Sequence, residues 1–286
     1  MTFTWSPETE PPAFRITPAG WLRAVLRGTA LLLVLLAGVT ATLLLRPVER
    51  ALHGPARPWT PFLTQGVSRS VFLILGMRHE ATGQRMTERG AVVANHASWL
   101  DIFALNARKR VYFVSKAEVA GWPGIGFLAR LTGTVFIARD PRQAQAQQSL
   151  FEERLIAGHK LLFFPEGTST DGMRVLPFKS TLFQAFFNPV LGEGMHVQPV
   201  TVIYTAPKGQ DPRFYGWWGE MDFGPHLLRV LAVRRNGAVR IVYHPPLRVA
   251  DFGSRKALAK TAEDTVRAGM PPERQVSGGG ASGGSI

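Results

Sequence analysis

Two residues suited to acid–base chemistry lie close together in AVVANHASWLDIFAL, residues 91–105: His96 and Asp101, with four residues between them. The apolar run Ala91–Ala94 predicts a buried strand. Ser98 is placed to cap a helix opening at Trp99, with Asp101 three residues further on. The turn between strand and helix can bring the carboxylate back onto one ring nitrogen of His96. That would fix the tautomer and leave the other nitrogen free as a base. The same spacing also fits a capping box in which Asp101 binds only backbone and His96 is a loop residue. These residues alone leave both readings open.

Other stretches gather groups at strand ends. An apolar strand over Leu161–Phe164 runs into Pro165-Glu166-Gly167, followed by Thr168 and Ser169. A carboxylate, a permissive glycine, backbone N–H groups and two hydroxyls thus collect at a strand's carboxyl end, where α/β sheets form sites. A solvated turn would use the same residues. Gly133 to Arg139 sends another strand into an arginine, the side chain suited to gripping phosphate or carboxylate. Val197-Gln198-Pro199-Val200 opens a further apolar strand, and its proline predicts an edge or first position. Two motif matches carry no weight. Gly124-Ile-Gly126-Phe-Leu-Ala129 fits a dinucleotide pattern but follows no clear strand. Gly280-Ala-Ser282-Gly-Gly284 fits a hydrolase elbow but lies in a low-complexity tail. There is no H-E-x-x-H or comparable ligand cluster, so no metal is expected.

The elements that must position these groups alternate. Strands are expected over Ala91–Ala94, Val111–Ser115, Thr134–Ala138, Leu161–Phe164, Val197–Tyr204 and Val239–Tyr243. Helices are expected over Trp99–Ala107, Ile125–Leu131, Arg142–Ala157, Thr181–Asn188 and Arg255–Ala268, the last capped by Ser254. Strands that are apolar throughout, with helices between them, predict an α/β fold: a mostly parallel or mixed central sheet flanked by helices.

Ahead of that region, Gly28 to Leu45 is uncharged over a length at the lower limit for a membrane helix, flanked by Arg23 and Arg27 on one side and Arg46 and Arg50 on the other. Arginine at both ends gives no orientation by the charge rule. An N-terminal membrane-anchoring helix is expected, spanning or half-inserted. Residues 62–78 form a second apolar segment that suits either the headgroup boundary or packing on the core. The domain organisation read from this is a flexible tail at 1–20, a membrane-anchoring helical segment at 21–80, a catalytic domain at 81–270 and a disordered tail at 271–286.

The 286 residues contain no cysteine, which excludes disulfides and thiolate catalysis. The formal net charge of +13 implies an anionic partner. No helix-turn-helix, zinc-finger or RNA-recognition signature is present, so no nucleic acid is expected and a membrane surface is preferred. Trp217 and Trp218 suit either that interface or the core.

Taken in order, the stretches resemble the glycerolipid acyltransferases of the lysophosphatidate acyltransferase type. Asn95-His96-x-Ser98-x-x-Asp101 is similar to the first signature block of that family, Gly133–Arg139 to the second, Phe164-Pro165-Glu166-Gly167-Thr168 to the third and Val197-x-Pro199-Val200 to the fourth. Ser180 departs from the glycine that relatives often carry after Pro177-Phe178-Lys179. Gly219–Leu228, with Ser169–Gly172, further resembles the bacterial lyso-ornithine lipid O-acyltransferases.

The resemblance implies transfer of a fatty acyl group from an acyl carrier protein or coenzyme A thioester to a lysolipid hydroxyl, with no other cofactor. His96 would be the base and Asp101 its partner. Arg139, Glu166, Gly167, Thr168 and Ser169 would hold the acceptor head group, and Pro199 would shape the acyl-chain end. The protein would work at the bacterial inner membrane, with its catalytic domain on the cytoplasmic side. Two other classes fit less well: a lipid- or carrier-binding module without catalysis, and a hydrolase in which His96 activates water.

Overall fold

A computed structural model describes residues 4–7, 9, 14–137, 144–191 and 194–275. Its centre is an eight-stranded mixed sheet, order β1-β7-β6-β2-β5-β3-β4, with β8 also paired to β6. The strands are β1 (Arg78–Thr82), β2 (Gly90–Ala94), β3 (Tyr112–Lys116), β4 (Val135–Ile137), β5 (Leu161–Phe163), β6 (His196–Thr205), β7 (Ala238–Tyr243) and β8 (Leu247–Arg248). Strands β2 to β6 are mutually parallel, and β7 and β8 run antiparallel to β6.

The side-chain alternation of a strand sorts the core into two layers. Val92 and Ala94 of β2 point to one face with Leu100, Ala104, Val200, Val202 and Tyr204. Ala91 and Val93 point to the other with Leu155, Leu161, Phe163, Phe183 and Leu258. The first layer is covered by α2 (Thr60–Leu75), α3 (Leu100–Arg108) and α6 (Phe223–Ala232). The second is covered by α5 (Ala144–Ile156), α7 (Arg255–Ala268) and a 3-10 segment, Ser180–Phe187. Every residue of β2 is buried, as expected of a strand covered on both faces. It begins at Gly90, where φ is +142° and a Cβ would stand 1.8 Å from the His196 carbonyl oxygen. A side chain there would force β2 away from β6.

At the N-terminal side stands α1 (Pro18–His53), 36 residues long, with a mean hydropathy of 2.3 over its most apolar stretch and only 6% of that stretch buried. By length and composition it can cross a membrane. Leu22, Leu26, Leu33, Leu36, Leu44 and Leu52 are each more than half exposed. Arg23 and Arg27 are not free flanking charges. Arg23 Nε donates to the Ala232 carbonyl at 2.9 Å, and one Arg27 nitrogen donates to those of Leu231 and Val233 at 2.8 and 2.7 Å. They satisfy carbonyls at the C-terminal turn of α6, which have no partner within the helix. At the other end, Glu49 accepts from the Trp59 and Thr60 backbone N–H groups and starts α2. The second apolar segment is therefore a core-facing helix. Phe72 and Leu75 are buried, Arg69 donates to the Ala107 carbonyl of α3, and Phe62 and Leu73 remain exposed.

Several boundaries differ from expectation. The limit drawn after residue 80 falls inside β1, which is part of the sheet. Residues 14–17 are not loose, because Phe14 and Ile16 pack on the core and Thr17 caps α1. Residues 272–274 form a turn, and Arg274 donates to the Tyr204 carbonyl at 2.9 Å. The helix expected over 181–188 is a 3-10 segment, Ser180–Phe187, and Asn188 is extended. Pro199 lies in an interior strand, not at an edge. Its carbonyl accepts from His244 N where the ladder beside β6 passes from β8 to β7, so no strand-pairing donor is lost there. Trp218 is buried, and Trp217 is half-buried against Met221.

Candidate active site

The carboxyl ends of β2 and β5 lie side by side and deliver His96 and Glu166 to one place. Asn95 fixes the end of β2, its side chain donating to Val202 O at 2.9 Å and accepting from Val202 N at 2.8 Å. The next residue turns out of the sheet. His96 N donates to Glu166 Oε1 at 2.6 Å, and the His96 carbonyl accepts from Thr170 N at 2.9 Å. Both sides of the His96 backbone are thereby held by the β5 loop.

The imidazole is held just as closely. Nδ1 stands 2.7 Å from Asp101 Oδ2, and the ring stacks on Phe164 with centroids 4.0 Å apart and planes at 11°. Nε2 has no hydrogen-bond partner among the described residues, and the side chain is 20% exposed. Asp101 is fully buried, and its carboxylate is saturated. Oδ2 also accepts from Ala97 N at 2.8 Å and Ser98 N at 3.0 Å, while Oδ1 accepts from the Tyr204 hydroxyl at 2.6 Å. Ser98 Oγ accepts in turn from Leu100 N. One carboxylate thus binds both the histidine ring and the backbone just ahead of α3, whose N-cap residue Trp99 has no side-chain cap bond. Asp101 lies in the first turn of α3 and orients His96 from there. Burial, and then the neighbouring Asp101 charge, raise the Tyr204 pKa well above the usual phenol range, so its hydroxyl acts as a donor.

Glu166 sits beneath this pair at 1% exposure. One oxygen takes His96 N and the other takes Leu176 N at 2.7 Å. Burial pushes its carboxyl up to about 8 against the pull of those two bonds. Both of its oxygens are thus committed to backbone N–H groups. Gly167 has φ +73°, and a Cβ there would lie 2.9 Å from Lys179 Nζ. The turn is shaped for glycine. Thr168 and Ser169 are half-buried on the same loop, and Thr168 Oγ1 accepts from Trp5 N at 3.4 Å. Pro199 is buried in the sheet in register with Val93. Arg139 lies outside the described residues.

Comparison with known proteins decides what this arrangement belongs to. An Acyltransferase family model matches residues 78–203, which contain His96, Asp101, Glu166 and Pro199. A lyso-ornithine lipid O-acyltransferase of Rhodobacter capsulatus is 59% identical over 93% of this chain and 96% of its own length. The chain belongs to the glycerolipid acyltransferase family. It is a lysolipid O-acyltransferase. A 1-acyl-sn-glycerol-3-phosphate acyltransferase of Neisseria meningitidis is 30% identical over 65% of this chain and 71% of its own length. The acyltransferase also has the fold of the crystal structure of PlsC, the 1-acyl-sn-glycerophosphate (LPA) acyltransferase of Thermotoga maritima. The TM-score is 0.60 at 21% identity, covering 87% of this chain and 95% of that one.

Three residues of the acyltransferase's site take parts that the sequence does not assign to them. Phe164 is the first residue of the third block and the end of a strand, but neither shows it as a plate beneath His96. Tyr204 closes an apolar strand parallel to β2, and only the pairing of β2 with β6 brings its hydroxyl to Asp101. Thr170 lies in the stretch Ser169–Gly172, and its hold on the His96 carbonyl shows only in the fold.

Proposed function

We propose that the protein transfers a fatty acyl group from a thioester, carried by acyl carrier protein or coenzyme A, to the free hydroxyl of lyso-ornithine lipid. The observation that carries the mechanism is the 2.7 Å contact between His96 Nδ1 and Asp101, with Nε2 open. Nε2 takes the proton of the acceptor hydroxyl as its oxygen attacks the thioester carbonyl carbon. The new C–O bond gives a tetrahedral intermediate, the C–S bond then breaks, and the thiolate leaves with the proton returned from the imidazolium. Asp101 stabilises that imidazolium and holds the tautomer. The products are a diacyl lipid and a free thiol, and the reaction needs no metal or further cofactor.

Arg139, Gly167, Thr168 and Ser169 are proposed to meet the acceptor head group, and Pro199 to shape the acyl-chain end. Glu166 is assigned a positioning role, because both of its oxygens are committed to backbone N–H groups. The exposed leucines of α1 support membrane attachment, which we place at the cytoplasmic side of the bacterial inner membrane.

The acceptor rests on the 59% identical relative, whose name specifies lyso-ornithine lipid. A second acceptor, 1-acyl-glycerol-3-phosphate, is favoured by the Neisseria relative, and both compounds present a hydroxyl and an anionic group. Purified protein with labelled acyl-acyl carrier protein and each lysolipid in turn separates them. Diacyl ornithine lipid is the expected main product. Product from the glycerophosphate acceptor alone would reassign the substrate, and release of free fatty acid without transfer would make the protein a hydrolase.

A further inference from the structure

We propose that the cleft between the C-terminal end of α1 and α4 (Ile125–Thr132) binds the phosphodiester headgroup of an anionic bilayer lipid, at a site separate from the acyl-transfer centre. The cleft has a volume of about 750 Å³, and four arginines line it: Arg46, Arg50, Arg57 and Arg130. A fifth, Arg154, stands behind them. Arg57 donates to the Leu131 carbonyl and Arg154 to the Gly133 carbonyl, each at 2.9 Å. Both guanidinium groups converge on Gly133, within 2.9 and 3.2 Å of where its Cβ would stand.

These charges are under-compensated. Among the described residues the carboxylate beside them is Glu49, and its oxygens already accept from Trp59 N, Thr60 N, the Thr60 hydroxyl and Arg46. The Nε atoms of Arg57 and Arg154 are buried with no partner among the described residues. Burial, followed by the charges of Arg46 and Arg154, lowers the Arg57 pKa. Guanidinium groups crowded in this way are relieved by a bound anion, and their forked donors suit a phosphate best.

Position sets the cleft apart from the catalytic site and names the occupant. Arg154 lies over the ring of Tyr112, the first residue of β3. The cleft therefore borders the amino ends of the parallel strands, whereas His96 follows the carboxyl end of β2. An acyl carrier protein must bring its thioester to His96, so docking at the opposite edge would not serve it. The same turns of α1 that supply Arg46 and Arg50 expose Leu43, Leu44, Val48 and Leu52. An apolar surface beside a basic cleft matches the boundary between acyl chains and anionic headgroups.

Native mass spectrometry of the full chain in neutral detergent tests the site, with phosphatidylglycerol or phosphatidylcholine added. We expect one phosphatidylglycerol retained per chain, preferred over phosphatidylcholine by about tenfold, as charge recognition requires. Arg50→Gln with Arg130→Gln should weaken retention at least about fivefold, since each basic side chain adds to the attraction. Both arginines are exposed, and the Arg57–Leu131 and Arg46–Glu49 contacts stay in place. Arg240→Gln with Arg255→Gln removes the same charge elsewhere and should leave retention unchanged; thermal melts of both double variants verify folding. Equal loss in the two double variants would show diffuse attraction and overturn the proposal. So would the absence of headgroup preference, or displacement of the lipid by acyl carrier protein or by inorganic phosphate. None of these outcomes depends on acyl transfer, so the site stands or falls apart from the proposed reaction.

Discussion

Asp101 accepts hydrogen bonds from two backbone N–H groups, from Tyr204 and from the His96 ring, and each bond constrains the others. A substitution there therefore acts on orientation as well as on charge. Asp101→Asn keeps the shape but presents an amide where Nδ1–H, Ala97 N and Ser98 N all donate. Turnover should fall by about a hundredfold, within the range of general acid–base catalysis. A rate equal to that of the unmutated enzyme would reduce Asp101 to a group that binds backbone. Tyr204→Phe removes one buried donor, worth about 1 kcal/mol. Its expected effect is a several-fold drop in kcat with KM unchanged, because Tyr204 acts through Asp101 and not on substrate. A change in KM alone would contradict that placement.

At the scale of elements, the α1–α2 hairpin depends on one close approach. A Cβ at Gly38 would lie 2.4 Å from Val67 Cγ2. Gly38→Val should therefore push the helices apart and destabilise the protein by about 1–3 kcal/mol, the usual penalty of overpacking. Thermal unfolding measures it, and an unchanged midpoint would show that the hairpin is not held at Gly38.

The same scale explains what could be read from the chain. The central strands β2, β5 and β6 were legible because burial on both faces leaves continuous apolar runs. Strand β1, RHEAT, was not, because it lies at the sheet's edge with a polar, mostly exposed pattern. Helix α6 was hidden by Gly224 and Pro225 in its first turn, although Pro is tolerated there. At the site, spacing brought out His96 and Asp101 but could not choose between a base partner and a group that binds backbone, since one carboxylate does both. Glu166 was legible as a residue and not as a direction. Only the loop's return to His96 N and Leu176 N turns it inward.

For the whole molecule, buried histidines set the response to acid. Burial lowers His79 and His159 to about 4 and His226 to about 3. His226 is held neutral by its contacts: Nδ1 accepts from Trp99 Nε1, and Nε2 donates to the Gly216 carbonyl. The unfolded chain takes up these protons near pH 6.5, whereas the folded chain does so only near pH 3 to 4. The histidines' share of the stability is therefore full above about pH 6.5 and declines as pH falls through that window, while Glu166, pushed up to about 8, works in the opposite direction over the same range. Urea unfolding at pH 7.5 and pH 5.0, of the unmutated protein beside His226→Gln, isolates the histidine's share. In His226→Gln the slope below pH 6 should shrink by up to about 1.4 kcal/mol per pH unit, one proton's worth. An unchanged slope would mean that His226 protonates in the folded chain as readily as in the unfolded one.

The central claim is that the imidazole of His96 removes the proton from the lipid hydroxyl. Single-turnover transfer from labelled acyl-acyl carrier protein to lyso-ornithine lipid, by the unmutated protein and by His96→Ala with matching thermal melts, tests it most directly. The rate should fall by about a thousandfold, the contribution expected of a positioned general base. A folded His96→Ala variant that transfers the acyl group within a few-fold of the unmutated rate would contradict it.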